Sequence, residues 1–271
     1  MFGDRYMSDI LSQLAKHAKE RVMAAKQIIP LSEMKRMAAE RETETPHAFK
    51  AALAKEGMTF ICECKKASPS KGLIAKDFPY LAIAKEYEEA GAGAISVLTE
   101  PKWFLGSLDY LKEISAAVKI PVLRKDFTVD EYMIYEAKAA GAAAVLLIVS
   151  ILDEAQLKEY LQIVKELGMD ALVEAHDENE VHTAVHAGAE IIGVNNRNLR
   201  DFTVDLNNSI RLRNLVPENI LFVAESGIRE RSDIEELEKG KMNGVLIGEQ
   251  LMRAADKKMM LRELKGIRGV N

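Results

Sequence analysis

The sequence predicts an α/β fold, a closed (β/α)8 TIM barrel with an N-terminal helical extension. Three observations carry that prediction. Eight short runs of β-branched and apolar residues recur from Thr59 onward, the segments between them have helical periodicity, and no G-x-G-x-x-G follows the first run. Strand–helix alternation this regular builds a parallel sheet. Without a dinucleotide turn or a break in composition, closure is favoured over an open doubly wound sheet.

The runs are TFICEC at Thr59, AISVL at Ala94, PVLRK at Pro121, AAVLLIV at Ala143, DALVEA at Asp170, EIIGVN at Glu190, ILFVAES at Ile220 and NGVLIGE at Asn243. Between them lie stretches such as YLAIAKEYEEAGA and LDEAQLKEYLQIVKELGM, apolar at three- and four-residue spacing, with Gly near several ends. Residues 1–45 add two helical segments that serve as a lid or brace, and ERETETPHAF reads as a solvated connection to the barrel at 46–271. One domain accounts for all 271 residues, a common length for such barrels.

A net charge of −5, with no basic stripe interleaved with aromatics, points away from nucleic acid. The N-terminal stretch lacks the apolar run of a signal peptide, and no segment reaches the length of a membrane span, so no membrane partner and a cytoplasmic location are expected. The two cysteines, Cys62 and Cys64, sit at alternate positions of one strand. They point the same way, which suits neither a disulfide nor, alone, a zinc site; buried reduced thiols are expected.

The C-terminal strand ends of such a barrel form its active-site face. Here they carry Glu63 and Lys65, Thr99 and Glu100, Lys125, Glu174, Asn195 and Arg197, Glu225 and Ser226, and Gly248 and Glu249. Alternation puts Glu63 and Lys65 on one face at a spacing of roughly 6 to 7 Å, opposite Cys62 and Cys64. A lysine in a dry pocket or beside other cations loses affinity for its proton, whereas a carboxylate beside a lysine keeps its charge. Lys65, Lys125, Glu63 and Glu174 together therefore offer both a proton donor and a base.

Strands seven and eight end in AESGI and LIGEQLM, where small residues let backbone N–H groups approach an anion; this is the habitual phosphate position of the fold. The long loop KKASPSKGLIAKDFP, with Lys71, is a candidate gate or a plain surface loop. Trp103 and Phe104 can hold a planar ring or simply close the barrel mouth. His182 and His186, one turn apart, are expected on a solvated helix face, since no third ligand stands near them.

The segments CECKKASPSKG, SVLTEPKWFLGS, PVLRKDF, LVEAHDE, GVNNRNL, VAESGI and VLIGEQLM, in this order, resemble the indole-3-glycerol phosphate synthase family over nearly the whole chain. Phosphoribosylanthranilate isomerases and other phosphate-binding barrels share the last two but do not look like the first four. The resemblance implies decarboxylating ring closure of 1-(2-carboxyphenylamino)-1-deoxyribulose 5-phosphate in tryptophan biosynthesis, with no cofactor and no metal. It implies Lys125 and Lys65 as general acids, and Glu174 and Glu63 as carboxylates that stabilise positive charge or remove a proton. Asn195 and Ser226 position the ribulose hydroxyls and catalytic groups, supported by Glu225 and Arg197. Gly227, Gly248 and the backbone of Glu249 receive the phosphate together with Ser226 and Ser68, and Phe104 and Leu246 flank the aromatic ring. Glu249 stands where some relatives carry a hydroxyl residue, so only its backbone N–H is carried over; Cys64, aromatic in some relatives, bears on packing. The expected partner is the small phosphorylated substrate of a monomer, with association with other tryptophan-pathway enzymes left open.

Overall fold

Eight parallel strands close into a barrel: β1 (Thr59–Cys64), β2 (Ala94–Leu98), β3 (Val122–Lys125), β4 (Ala144–Ile148), β5 (Asp170–Ala175), β6 (Ile191–Asn195), β7 (Leu221–Glu225) and β8 (Gly244–Ile247), with β8 pairing back to β1. The computed structural model describes residues 3–42, 45–197 and 203–267. Thr43 and Glu44 of the ERETETPHAF connection, and Asn198 and Leu199 of the GVNNRNL segment, lie outside them. Each strand coincides with one of the eight apolar runs to within a residue or two.

Strand alternation divides the core in two. Ile61, Leu123, Leu146, Leu172, Val223 and Leu246 point inward and fill the barrel. Their outward neighbours, among them Cys62, Cys64, Val97, Val145, Val173 and Val245, pack against the surrounding helices. Both cysteines are thus free, fully buried, and held as thiols by a burial that pushes their pKa well above the usual range. Helix starts follow local chemistry: Asp153, for instance, accepts from the Gln156 N–H while the Gln156 side chain accepts from the Asp153 N–H, so two otherwise unpaired amides are satisfied together.

The expected helices Gly3–Ile28 and Leu31–Glu40 are present, but the connection after them is not simply solvated. It contains a helix, Ala48–Leu53, whose Phe49 and Leu53 are fully buried and plug the N-terminal end of the barrel interior. Asp170, at the start of β5, anchors this plug by accepting from His47 Nδ1 (3.0 Å) and from the Lys50 N–H (2.8 Å). Truncating Leu53 to Ala would cost about 2–5 kcal/mol, because nothing else can fill that end.

The helix Gly3–Ile28 lies across the other end. Arg21 makes two hydrogen bonds to Asp126 (2.7 and 3.0 Å), Lys26 pairs with Asp130 (2.8 Å), and His17 contacts Glu100 (3.2 Å). The extension is therefore a brace whose ion pairs land on the residues that follow β2 and β3. Among the described residues, no helix is long and apolar enough to cross a membrane.

Candidate active site

A cavity of about 700 Å³ opens at the C-terminal ends of the strands, and the predicted cluster lines it. Glu63, Lys65, Ser68, Phe104, Lys125, Glu174, Asn195, Arg197, Glu225, Ser226, Gly227, Leu246, Gly248 and Glu249 all border this one space. Residues separated by up to 186 positions of sequence meet here because each occupies the last inward position of its strand or the loop just after it.

Lys125 stands at the centre. Its Nζ lies 3.0 Å from Glu174 Oε2 and 3.1 Å from Glu225 Oε2, and the three side chains are 14%, 4% and 2% exposed. A second pair, Lys65 Nζ to Glu63 Oε1, closes at 2.6 Å, with Ser96 Oγ donating to the other Glu63 oxygen at 3.4 Å. Burial alone would push the Lys125 ammonium toward neutrality, but the carboxylates of Glu174, Glu225 and Glu63 outweigh it and raise its pKa above the lysine range. The expectation of a lysine with weakened proton affinity is therefore corrected at Lys125: its neighbours are anions, not cations.

The two carboxylates sharing this ammonium diverge. Burial raises both, yet Glu174, facing Lys125 and His176, is held far below the usual carboxylate range. Glu225, buried beside the Glu174 charge and only partly offset by Lys125, is pushed up to about 7. One oxygen of Glu225, Oε1, has no hydrogen-bond partner among the described residues. Environments that drive neighbouring carboxylates apart in this way allow one to stay ionised while the other exchanges a proton near neutral pH.

Two glycines exist to make this room. A Cβ on Gly193 of β6 would lie 2.3 Å from Glu225 Oε1, and one on Gly248 would lie 2.4 Å from Glu63 Oε1 and 2.8 Å from Lys65 Nζ. Beyond β7, Ser226 (φ 67°) and Gly227 (φ 89°) turn the chain through left-handed conformations, and this turn borders the cavity together with Gly248 and Glu249 after β8. Asn196 fixes this turn from behind: its Nδ2 donates to the Ser226 carbonyl (3.3 Å) and its Oδ1 accepts from Ser209 Oγ (2.7 Å) and the Ser209 N–H (3.0 Å). The Glu249 carboxylate is held by Arg253 (3.2 Å), Arg197 (3.7 Å) and Lys71 (3.8 Å), so its charge is met by three cations at the cavity edge.

Some rim residues turn out to be scaffolding. Thr99 donates to buried Asp126 (2.6 Å), and Glu100, fully buried, accepts from the N–H groups of Lys102, Trp103 and Phe104 at 2.7–3.0 Å. Glu100 thereby fixes the loop that presents Phe104, while Trp103 packs edge-on against His17 outside the cavity. His182 and His186 are exposed on their helix.

The sequence reading missed other contributors. Phe127, 6.1 Å from Phe104 between ring centroids, widens the apolar wall with Leu146 and Ile148, and Ile10, Leu11 and Leu14 of the first helix roof it. The helical periodicity of the extension signalled an apolar face, but nothing in it says that this face covers the barrel mouth. His176 was part of a motif without a role; its imidazole lies directly behind Glu174.

Fold and site together define the class: a (β/α)8 barrel that gathers buried ammonium and carboxylate groups at its C-terminal face, flanked by a backbone cradle and an apolar slot. Among solved structures the barrel is similar to 3-hexulose-6-phosphate synthase from Salmonella typhimurium (TM-score 0.64, 16% identity, 78% of this chain and 98% of that one), a likeness of fold alone. The family model for indole-3-glycerol phosphate synthase matches residues 11–264. The chain is 56% identical to the indole-3-glycerol phosphate synthase of Ruminiclostridium cellulolyticum over 95% of its own length and 99% of that protein's. It is 55% identical to that of Endomicrobium trichonymphae over 94% and 99%. The chain belongs to the indole-3-glycerol phosphate synthase family.

Proposed function

We propose that this chain catalyses the decarboxylating ring closure of 1-(2-carboxyphenylamino)-1-deoxyribulose 5-phosphate to indole-3-glycerol phosphate, carbon dioxide and water, as one barrel domain (46–271) under its helical extension (1–45). The observation that carries this reading is Lys125, buried between Glu174 and Glu225 at 3.0 and 3.1 Å and facing the same cavity as the Lys65–Glu63 pair.

The phosphate rests in the cradle of Ser226, Gly227, Gly248 and the Glu249 N–H, with Ser68 reaching in from the first loop, and Arg197 and Lys71 supply positive charge. The aromatic ring lies between Phe104 and Leu246, on the apolar wall extended by Phe127. Phosphate at one end and ring at the other bring the C2′ ketone over the lysines, so positioning supplies a large share of the rate.

The ring carbon bearing the carboxylate attacks C2′, its electrons pushed by the anilino nitrogen, and the carbonyl oxygen becomes an alkoxide. That alkoxide is far more basic than a lysine, so an ammonium whose pKa lies above the usual range still donates to it downhill. Loss of carbon dioxide returns the bond's electrons to the nitrogen cation and restores the aromatic ring. A carboxylate then removes a proton beside the nitrogen as the second ammonium protonates the departing hydroxyl, which leaves as water. Lys125 and Lys65 provide the two acids. Glu174, held ionised, stabilises the transient positive charge, and Glu63 sits beside Lys65 for the second transfer. Asn195 and Ser226 orient the ribulose hydroxyls. Neither redox change nor an added electrophile is needed, and the small phosphorylated substrate supplies every other reacting group.

Incubation of the purified protein with the carboxyphenylamino substrate tests the reading. Indole fluorescence and one equivalent of carbon dioxide are expected to appear together; turnover of a neighbouring aminoribulose phosphate by isomerisation, without either signal, would overturn it.

A further inference from the structure

The sequence Glu174-Ala-His-Asp-Glu-Asn-Glu180 runs from the end of β5 into the helix Glu178–Ala187, which Asp177 caps by accepting from the Glu180 N–H at 2.9 Å. Strand alternation puts His176 on the same face as Glu174, and the helix start brings Glu180 back over it. His176 Nδ1 lies 2.9 Å from Glu180 Oε2, the His176 N–H donates to that same oxygen at 2.8 Å, and Nε2 lies 3.2 Å from Glu174 Oε1, in ion-pair contact although off the ideal hydrogen-bond angle. Asn208 Nδ2 donates to the His176 carbonyl at 3.3 Å. The ring thus has one orientation.

We infer that His176 is a positioning residue for the proposed reaction: wedged between Glu180 and Glu174, it locks the Glu174 carboxylate in the direction of Lys125 and supplies a positive charge on its far side. His176 does not border the cavity, so it acts through Glu174 and not on substrate. The reading rests on Glu174 being a working carboxylate of the proposed function. Oε2 of Glu174 faces the Lys125 ammonium while Oε1 faces the imidazole, and each oxygen therefore has its own cation.

Among the described residues, the titratable groups facing His176 are Glu174 near the end of β5 and Glu180 on the following helix; Lys125 and Glu225, from β3 and β7, lie beyond Glu174. Burial would drive the imidazole neutral, but the two carboxylates prevail and hold its pKa at about 10, so the cation persists throughout the neutral range. Without it, Glu174 keeps only the cation it shares with Glu225. Its pKa rises, and its Oε1 side is free to rotate.

The test compares wild type with His176→Asn, which keeps a donor near Nδ1 but carries no charge and does not span both carboxylates. The expected result is a kcat lower by roughly ten- to hundred-fold, the scale of a displaced catalytic group, with KM within about two-fold and the acid limb of the kcat/KM profile moved to higher pH. Adding Glu180→Gln to that variant should change kcat by less than about two-fold, because both residues act along one line. Should His176→Asn not fold, Glu180→Gln alone serves, with a smaller fall in kcat and the acid limb moving in the same direction. An unmoved acid limb in the folded variant, whether kcat is retained or falls together with thermal stability, would overturn the inference. Wild-type turnover measured in parallel separates this outcome from failure of the proposed function itself.

Discussion

Replacing Lys125 by Met keeps the stem and removes the ammonium. In the wild type that ammonium sits 3.0 and 3.1 Å from carboxylates whose side chains are 4% and 2% exposed. Stripping one partner from a buried pair costs about 3–5 kcal/mol when the stranded charge stays ionised. Here the loss should fall near the lower end, about 3 kcal/mol at pH 7, since His176 still faces Glu174 and Glu225, already at about 7, can take up a proton. The pH dependence has a definite sign. In the variant Glu225 titrates above 7, so the folded chain keeps a proton that the unfolded chain, with its ordinary value of 4.5, has released. Stability relative to wild type therefore declines as pH rises above 7, at up to about 1.4 kcal/mol per unit. Loss of a general acid lowers kcat by roughly 10²–10⁴-fold, about 4 kcal/mol of barrier at the midpoint. Indole fluorescence under saturating substrate measures the rate, and urea melts at pH 6 and pH 9 measure the stability. A folded Lys125→Met protein with kcat within ten-fold of wild type would refute the assignment of this ammonium.

Three further perturbations address the supports of the site. Gly248→Ala should lower kcat by roughly ten- to hundred-fold, because the new methyl forces apart the Glu63–Lys65 pair; steady-state kinetics matching wild type would show that this pair needs no fixed geometry. Arg21→Ala removes two charged hydrogen bonds to buried Asp126, at about 1–3 kcal/mol, and should raise KM more than it lowers kcat as the roof of Ile10, Leu11 and Leu14 loosens. Limited proteolysis within Gly3–Ile28 reports that loosening, and an unchanged cleavage rate would contradict it. For His176→Asn the imidazole pKa, raised to about 10 in the folded chain from 6.5, sets the pH window. The destabilisation is largest below pH 6.5 and fades as pH rises through about 10; thermal melts showing the reverse trend would reject an imidazolium at this position.

What could be read from residues alone followed the reach of periodicity. Period-two alternation located Glu63, Lys65, Cys62 and Cys64 on their correct faces, because a closed barrel has only an inside and an outside. The rule that strand ends make the site then gathered Lys125, Glu174 and Glu225 without knowledge of distances. Contacts between elements stayed hidden. The connection ERETETPHAF reads as polar, yet it leads into Phe49 and Leu53, whose burial depends on an open barrel end that no local pattern reveals. Thr99 and Glu100 obey the strand-end rule but face the chain behind them, since backbone N–H groups at 102–104 and the Asp126 carboxylate claim their polar atoms first. The rise of the Lys125 pKa was equally inaccessible: its direction depends on the sign of the neighbours within about 3 Å, and those come from β5 and β7.

A crystal structure of the protein with indole-3-glycerol phosphate bound tests the arrangement most directly. The phosphate should lie against the backbone of Gly227 and Gly248, the indole ring between Phe104 and Leu246, and the Lys125 and Lys65 ammonium groups should face the carbon skeleton between them. Product bound at the Phe49 end of the barrel, or with its phosphate beside Phe104 and its ring at Gly248, would contradict the placement of every acid and base proposed.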